Sequence, residues 1–369
     1  MEGSAVQHTP LFDLSTATLV YVAPRTGTNG VSDYADDILR FARERLARVV
    51  EVRHGGSSAD GVADVLRGRG EIRRAVAEAE GPVILHTEQS GGVLLPFWGL
   101  IGARASVRSA TVHDAPLSVW LPFRTKLVSR NRYVQHGLHY PILPILERFE
   151  RRAMRDVLLF ALTRSGARAT ERVLAHDSVR QSFLPVPDRP QLPPLSKRPL
   201  AVGLFGYVYR GKGFDRLVEL REAIDDRIEI RVAGRGTESL PAVPGVTILG
   251  AVEGPEEDAF FASIRAMIVP YGKRSSYGPE THVASSAITR ALAYQTPVVA
   301  TRYPGLDDEA LVFETVAELA EAVTALLGDD VALDTEAERV EALRRRLTTE
   351  NAFERYAEEW QRALAGVTR

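Results

Sequence analysis

The sequence contains no cysteine, so disulfides, thiolate metal ligands and thiol nucleophiles are excluded. It also lacks any apolar run close to the ~20 residues that a membrane-spanning helix requires. Its first residues, MEGSAVQHTPLFD, do not show the basic and then apolar pattern of a secretory signal, and we therefore expect a cytoplasmic protein. The net charge of −2 leaves no excess of positive charge, which argues against a nucleic-acid partner.

Lysine is also rare in this sequence. The only lysines are Lys126, Lys197, Lys212 and Lys273, and the other 42 of the 46 basic residues are arginines. A GC-rich genome explains the excess of arginine, but each lysine then stands where arginine was the usual choice.

What is present is typical of a soluble globular protein, with 369 residues, 45% hydrophobic and 25% charged. This length suits two domains. Short apolar runs alternate with helix-length stretches, a pattern that predicts parallel strands buried on both faces. The predicted strands are 19–23, 49–53, 83–86, 109–113, 157–163 and a weaker 181–184, then 200–206, 228–233, 246–250, 266–270, 297–301 and 311–313. The predicted helices include 33–49, 214–223, 255–264 and 287–294. The fold class is therefore α/β, with two Rossmann-like doubly wound domains and a cleft between them.

Proline marks the boundary between the two halves. Residues 185–199 hold six of the 21 prolines, which predicts an extended, semi-rigid linker. We predict an N-terminal domain over 1–184, a C-terminal domain over 200–350, and a last helix over 351–369 that packs back on the N-terminal domain. Phe353, Tyr356, Trp360 and Leu364 recur at helical spacing in that last segment and are expected to be packed.

Two cation-rich turns follow strands of the second half. GYVYRGKGFD, which starts at Gly206, places Arg210 and Lys212 among glycines before a helix. Lys273 follows a later strand, and Ser285 or Ser286 is the expected N-cap of the next helix. Glycine turns and helix N-termini both favour a bound anion, although each turn alone also fits a tight turn with solvated charges. The short turn at Gly234 ends a strand at the same edge of the predicted sheet, where doubly wound proteins bind ligands.

These motifs, in this order, resemble GT-B glycosyltransferases of family 4. The matching stretches are FGYVYRGKGFDRLVEL, VAGRG, ASSAITRALAYQTPVVAT, GTNGVSDYADDIL, TVHDAP and ILERFERRAMRDVLLFALTRSG. The resemblance makes the first domain the acceptor domain and the second the nucleotide-sugar donor domain. It assigns contact with the donor diphosphate to Lys212, and we predict a donor site that also includes Gly206, Arg210, Gly234, Lys273, Glu280, Ser285 and Ser286. It places the catalytic His113 beside the transferred sugar, and Gly30, Asp33 and Asp114 on the acceptor side. For Asp33 we predict capping of the helix that it begins, with binding of an acceptor hydroxyl as the other role.

The sequence departs from the family pattern at the donor helix. Arg290 stands where the second of two paired glutamates is usual, and the first falls near His282 or Ser275, with Glu280 nearby. Arg290 either pairs with an acidic neighbour or faces the cleft and selects a donor that carries a carboxylate or an extra phosphate; we predict the first. Tyr207 also replaces the usual arginine after Gly206.

The resemblance implies transfer of a sugar from a UDP- or GDP-sugar to an acceptor, with retention and without metal or cofactor, in bacterial glycan, glycolipid or natural-product biosynthesis. The acceptor is lipid-linked or a small molecule. Two alternatives remain open: a non-catalytic GT-B protein that binds a partner or sugar nucleotide, and a sugar-nucleotide epimerase. The basic, aromatic stretch 115–146 is an ordinary surface loop or a peripheral contact with an anionic membrane. His86 is expected to be packed, and His136 and His139 have no third ligand at the spacing of a zinc site.

Overall fold

A computed structural model describes residues 12–56, 60–117, 119, 132–175, 179–273 and 280–367, with the side chains of 132–141 and 143 outside the description. The chain forms two compact units. The first comprises Met1–Phe183 and Thr349–Arg369, and the second comprises Leu184–Thr348.

The order of elements alternates strand and helix in both units. The first part contains β1 (Thr18–Pro24), α1 (Gly30–Arg45), β2 (Arg48–His54), α2 (Val62–Ala77), β3 (Val83–Gln89), α3 (Leu95–Leu100), β4 (Val107–Val112), α4 (Arg132–Ala153), β5 (Leu158–Ala161), α5 (Arg164–Leu174) and β6 (Val179–Gln181). The second unit contains β7 (Ala201–Phe205), α6 (Leu217–Ala223), β8 (Glu229–Ala233), β9 (Val246–Gly250), α7 (Pro255–Ala262), β10 (Ala266–Val269), α8 (Ser286–Ala293), β11 (Val298–Thr301), β12 (Leu311–Phe313), α9 (Val316–Gly328) and α10 (Asp330–Arg346). The last helix is α11 (Thr349–Val367).

Each unit has one six-stranded parallel sheet. The order is β2-β1-β3-β4-β5-β6 in the first unit and β9-β8-β7-β10-β11-β12 in the second. Both orders reverse beside the first strand of the unit, which is the point where doubly wound sheets bind ligands. The predicted fold class is confirmed, because both units are Rossmann-like, as in GT-B proteins.

Apolar strands explain why the sheets form. All seven residues of β1 and of β3 are buried, as are all four of β10 and β11. Such strands have helices on both faces, and each fully buried aliphatic side chain contributes about 1.5–3 kcal/mol. The weak strand predicted at 181–184 lies earlier in the structure, at Val179–Gln181, because Val179 is the buried residue that pairs with Leu159.

Helix α1 corrects two predictions about its bounds and its cap. It begins at Gly30, where the Asn29 side chain accepts hydrogen bonds from Val31 N and Ser32 N. Asp33 lies exposed in the first turn and does not cap the helix. The helix ends at Arg45 and not at Val49, because the residues from Arg48 onward pair with β1.

Helix α11 packs against α1 within the first unit. The rings of Phe41 and Phe353 stack with centroids 6.3 Å apart, and Arg45 Nη1 lies 2.6 Å from Glu354 Oε1. The predicted apolar stripe of this helix, including Tyr356 and Trp360, is buried.

The proline-rich segment is fixed to the second unit by one buried arginine. Arg198 donates to the Pro193 and Tyr294 carbonyls and to Thr296 Oγ1, each at 2.9 Å. Burial lowers the pKa of Arg198 to about 10, which still leaves it charged at neutral pH. Throughout the described residues, no helix combines the length and the apolar character needed to cross a membrane.

Candidate functional site

Two glycine turns meet at the carboxyl ends of β7 and β8. Gly206 and Gly234 have φ of 132° and 130°, a region that side chains rarely adopt. A Cβ on Gly234 would lie 2.0 Å from the Gly206 carbonyl oxygen. Gly206 N–H donates to Ala233 O at 3.1 Å. Glycine is therefore required at Gly234 by direct contact between the two turns.

The turn that carries Lys212 also contacts the loop after β10. Gly213 has φ of 81°, and a Cβ there would lie 2.2 Å from Pro270 O. Gly272 N–H donates to Gly211 O at 3.0 Å. These contacts bring the turns after β7 and β10 together, and β7 and β10 flank the point where the strand order of the second unit reverses.

Lys212 is held by aromatic residues at this point. Its Nζ donates to Tyr271 Oη, and it lies 4.0 Å from the ring centroid of Tyr271 and 5.3 Å from that of Tyr209. Cation–π attraction adds to the hydrogen bond. The packing of these rings leaves Lys212 half-buried.

The same tyrosine joins Lys212 to the start of α8. Tyr271 Oη lies 2.9 Å from Ser285 Oγ, and both residues are buried. Ser285 occupies the N-cap position, but its side chain does not cap the helix, since its hydroxyl is turned to Tyr271. Ser286 is the first residue of α8 and is exposed. A cation, two hydroxyls and a helix N-terminus thus lie in one place, which suits an anion.

The remaining predicted donor residues lie on exposed loops. Arg210 is exposed on the lysine-bearing turn. Lys273 Nζ lies 3.8 Å from Glu280 Oε1, with both side chains more than half exposed. Ser275 lies outside the described residues.

Arg290 pairs with an acidic neighbour, as the first of the two alternatives expected. Its Nη1 donates to the buried Glu257 carboxylate. Glu257 also accepts from Arg189 Nε at 3.1 Å and from Tyr294 Oη at 3.0 Å. A buried carboxylate needs such partners, so Arg290 joins α8 to α7.

In the first unit, His113 follows β4 and contacts the end of β3. Its Nε2 lies 2.6 Å from Glu88 Oε2. Glu88 also accepts a hydrogen bond from the Tyr21 hydroxyl and lies 3.2 Å from His86 Nε2. Burial acts to raise the pKa of Glu88, but the hydrogen bonds from His113 and His86 outweigh it and hold the pKa at about 2. Glu88 is therefore an anion at neutral pH.

A chain of hydrogen bonds connects this group to α11. His86 Nδ1 lies 2.9 Å from Ser109 Oγ, which accepts from Trp360 Nε1 at 2.9 Å. Tyr356 Oη lies 3.0 Å from Thr111 Oγ1. His86 is buried in the interior of β3, which agrees with the expected packed residue.

The predicted acceptor-side residues are connected to His113 in two ways. Asp114 follows it in the sequence, and Gly30 and Asp33 lie on α1, the helix that contacts the His113 ring. The ring of Tyr34, in the second turn of α1, meets the His113 ring edge-on at 5.3 Å. Gly30 and Asp33 lie in the first turn of the same helix. Asp114 Oδ2 accepts from Ser90 Oγ at 2.9 Å and from Gly91 N at 3.1 Å, so it fixes the loop after β3.

The sequence analysis did not identify Tyr271 or Glu88 as functional residues. Each stands at the carboxyl end of a buried strand, which is the signal that could have identified them.

His136 and His139 lie in α4, but their side chains are outside the described residues, as is most of the stretch 115–146. Within the described part of the chain, no group of three or more histidine, aspartate or glutamate side chains is arranged to hold a metal ion.

Residues 197–329 match the family model described as Glycosyl transferases group 1. This range contains the whole Lys212, Tyr271 and Ser285 group. The resemblance inferred from the sequence is thus confirmed for the second unit. No curated protein sequence matches the chain.

Solved GT-B structures resemble the whole chain at low identity. Anabaena Alr3699/HepE, in complex with UDP and glucose, is 13% identical with a TM-score of 0.61 and covers 94% of this chain and 99% of its own. Sucrose-phosphate synthase from Thermosynechococcus elongatus is 14% identical with a TM-score of 0.63 and coverages of 95% and 100%. A UDP-forming α,α-trehalose-phosphate synthase from Burkholderia xenovorans is 11% identical with a TM-score of 0.56 and coverages of 95% and 100%.

Proposed function

We propose that the chain is a glycosyltransferase that moves a sugar from a nucleotide-diphosphate donor to an acceptor. The observation that carries this proposal is the position of Lys212. It lies on a glycine turn at the reversal point of the second sheet, joined through Tyr271 to Ser285 at the start of α8. That group falls inside the part of the chain that matches the group 1 family.

The group suits a leaving diphosphate. When the bond between the anomeric carbon and the phosphate oxygen breaks, negative charge develops on the diphosphate. Lys212 can keep its hydrogen bond to Tyr271 and still bind a phosphate oxygen, because an ammonium group has three donors. The N–H groups at the start of α8 and the exposed Arg210 add positive potential.

His113 is the proposed catalytic residue of the first unit and interacts with the transferred sugar, as the family resemblance implies. Transfer with retention needs no enzyme carboxylate as nucleophile in this scheme. The acceptor hydroxyl bonds to the anomeric carbon and gives its proton to the departing phosphate oxygen. We infer no metal requirement, since side-chain cations supply the charge at the diphosphate.

The paired Arg290 and Glu257 support a neutral sugar donor. The buried Glu257 carboxylate holds the Arg290 guanidinium against α7 and balances its charge, which disfavours Arg290 as the ligand of a uronic acid. Because one of the similar structures is a complex with UDP-glucose, this donor is the first to test. The acceptor, lipid-linked or a small molecule, is to be identified from a panel with the best donor.

The test is a panel of UDP- and GDP-sugars, read by release of the nucleoside diphosphate with and without acceptor. Isothermal titration with UDP and GDP accompanies it. Release of one diphosphate, with the sugar on the acceptor, supports the proposal. Nucleotide binding without turnover favours the non-catalytic alternative, and a changed sugar nucleotide without release favours the epimerase.

A further inference from the structure

Glu88 lies directly behind His113 and is the most completely buried ionised group near it. The Glu88 side chain has no exposed surface, whereas that of His113 is 11% exposed. The backbone fixes the pair, because His113 N–H donates to Gln89 O at 2.9 Å. The imidazole is thus held at the end of β4 with its Nε2 turned to the neighbouring strand β3.

The positions of the hydrogens on the far side of Glu88 follow from donor chemistry. The indole N–H of Trp360 can only donate, so Ser109 Oγ accepts from it. The Ser109 hydroxyl keeps its own hydrogen and can donate it to His86 Nδ1. His86 Nε2 lies 3.2 Å from Glu88 Oε1 and 3.0 Å from Thr111 Oγ1. Because the ionised carboxylate can only accept, the contact with Oε1 requires the His86 proton on Nε2.

Oε1 of Glu88 is therefore occupied by donors. The Tyr21 hydroxyl and His86 Nε2–H both point to it. Burial and the nearby Glu88 anion raise the pKa of Tyr21 well above its usual value. Burial also raises the pKa of Tyr34 and Tyr356. The tyrosines around the carboxylate are neutral hydroxyls at pH 7, so among the described residues Glu88 is compensated by hydrogen-bond donors, which are Tyr21, His86 and His113.

Oε2 of Glu88 consequently selects one tautomer of His113. An ionised carboxylate can only accept, so His113 must present Nε2–H to it at 2.6 Å. Its second nitrogen, Nδ1, is then a lone-pair acceptor in the neutral ring.

We propose that Glu88 is a positioning residue of the transferase, which fixes His113 as the Nε2–H tautomer so that Nδ1 accepts a hydrogen bond from a hydroxyl of the transferred sugar. This inference rests on the proposed function for its catalytic consequence. The tautomer itself is a property of the first unit and does not depend on turnover.

The first experiment is ¹⁵N NMR of the imidazoles in the full wild-type chain, with His113 assigned by its loss in His113→Gln. We expect neutral His113 to carry its proton on Nε2. A proton on Nδ1 would overturn the proposal. This measurement needs neither a substrate nor a variant of Glu88, and it can succeed even where no donor is turned over.

The second experiment compares Glu88→Gln with Glu51→Gln. Glu51 is a carboxylate on β2 that pairs with Arg53 and Arg43, and its variant is the matched control. For Glu88→Gln we expect a mixture of His113 tautomers and a loss of kcat on the order of 10-fold, the effect of weakening one hydrogen bond to the transferred sugar, with KM for the donor within about twofold.

A folded Glu88→Gln protein with wild-type kcat would overturn the proposal, as would an equal loss of kcat in Glu51→Gln. Where Glu88→Gln does not fold, the wild-type tautomer decides. Absence of turnover in the wild type, with Nε2–H found on His113, would count against the proposed transferase and not against the pairing.

Discussion

At the scale of single residues, the position of Lys212 explains how the second unit would bind the diphosphate of the proposed donor. The Lys212 ammonium group donates a hydrogen bond to Tyr271 and lies near the rings of Tyr271 and Tyr209. Tyr271 in turn contacts Ser285 at the start of α8. Tyr271 is itself fixed, since its carbonyl accepts from Thr301 Oγ1 at 2.8 Å. The ammonium group is therefore oriented before a donor arrives, which reduces the reorganisation needed at the transition state.

Lys212→Ala is expected to lower kcat/KM. The corresponding loss of transition-state stabilisation should be about 2.7–4 kcal/mol, the range measured for removal of one charge-stabilising donor. The fold should survive, because Tyr271 keeps Ser285 and Thr301 as partners. Lys197→Ala is the control, since Lys197 is an exposed lysine of the same unit. Turnover and UDP titration on both variants provide the measurement. Full turnover and nucleotide affinity in Lys212→Ala would show that the donor site lies elsewhere.

Arg290→Gln is expected to destabilise the second unit and leave turnover per folded molecule unchanged. The change removes one of three donors to buried Glu257 and leaves Arg189 and Tyr294, so we expect a loss of about 1–3 kcal/mol. Arg216→Gln serves as control; its exposed pair with Glu219 should contribute at most about 1 kcal/mol. Denaturant unfolding and turnover with a neutral donor measure both effects. Turnover confined to uronic-acid donors and abolished in Arg290→Gln would contradict this interpretation.

At the scale of elements, helix α11 completes the core of the first unit. It supplies Tyr356 and Trp360 to the polar group around His86, and Phe353 to the face of α1. The second unit, Leu184–Thr348, separates this helix from the rest of its own unit in the sequence. The polar interior beneath β3 and β4 therefore depends on the last helix of the chain.

Trp360→Phe should lower the free energy of unfolding by about 1–3 kcal/mol, because Ser109 loses its donor in a buried site while most of the ring remains. Leu364→Met in the same helix is the volume-conserving control, with an expected loss below about 1.5 kcal/mol. Urea unfolding followed by near-ultraviolet circular dichroism measures the two variants. Equal stability of Trp360→Phe and the wild type would show that the indole hydrogen bond contributes nothing net.

At the scale of the whole molecule, buried ionisable groups set how stability responds to pH. Glu309 is buried in the second unit; burial, followed by Asp308, raises its pKa to about 8. Between its ordinary value of 4.5 and about 8, the folded state keeps a proton that the unfolded state releases. The unfolded state thus binds fewer protons, and stability falls as pH rises through this window.

We expect this group to decrease the free energy of unfolding of the second unit by up to about 1.4 kcal/mol per pH unit between pH 5 and 8. Glu309→Gln should remove most of the slope and raise stability near pH 8. Glu314→Gln, at an exposed carboxylate paired with Arg302, should retain the wild-type slope. Thermal unfolding across that pH range is the measurement. A Glu309→Gln protein with an unchanged slope would contradict the assignment.

The sequence by itself determined the architecture. Apolar runs placed all twelve strands of the two sheets, with only the strand at Val179–Gln181 displaced, because burial on both faces leaves a continuous apolar signal that needs no tertiary information. Glycine-rich motifs likewise marked the turns at Gly206 and Gly234. A φ of 132° disfavours a side chain at Gly206, and the approach of the Gly206 carbonyl excludes one at Gly234. The order of these motifs also indicated the resemblance to glycosyltransferases, which the family match over residues 197–329 confirms for the second unit.

The tertiary structure alone decided which side chains meet. Tyr271 reaches Lys212 over 59 positions of sequence, and Trp360 reaches Ser109 over 251, so no local pattern could reveal either contact. Asn29 rather than Asp33 caps α1 because the turn after β1 fixes where the helix starts. Arg290 was ambiguous in the sequence because a guanidinium fits either a ligand or a carboxylate, and the choice followed from buried Glu257 on α7. Pairing of polar groups across a parallel sheet depends on strand order, and strand order is set by packing of the whole unit.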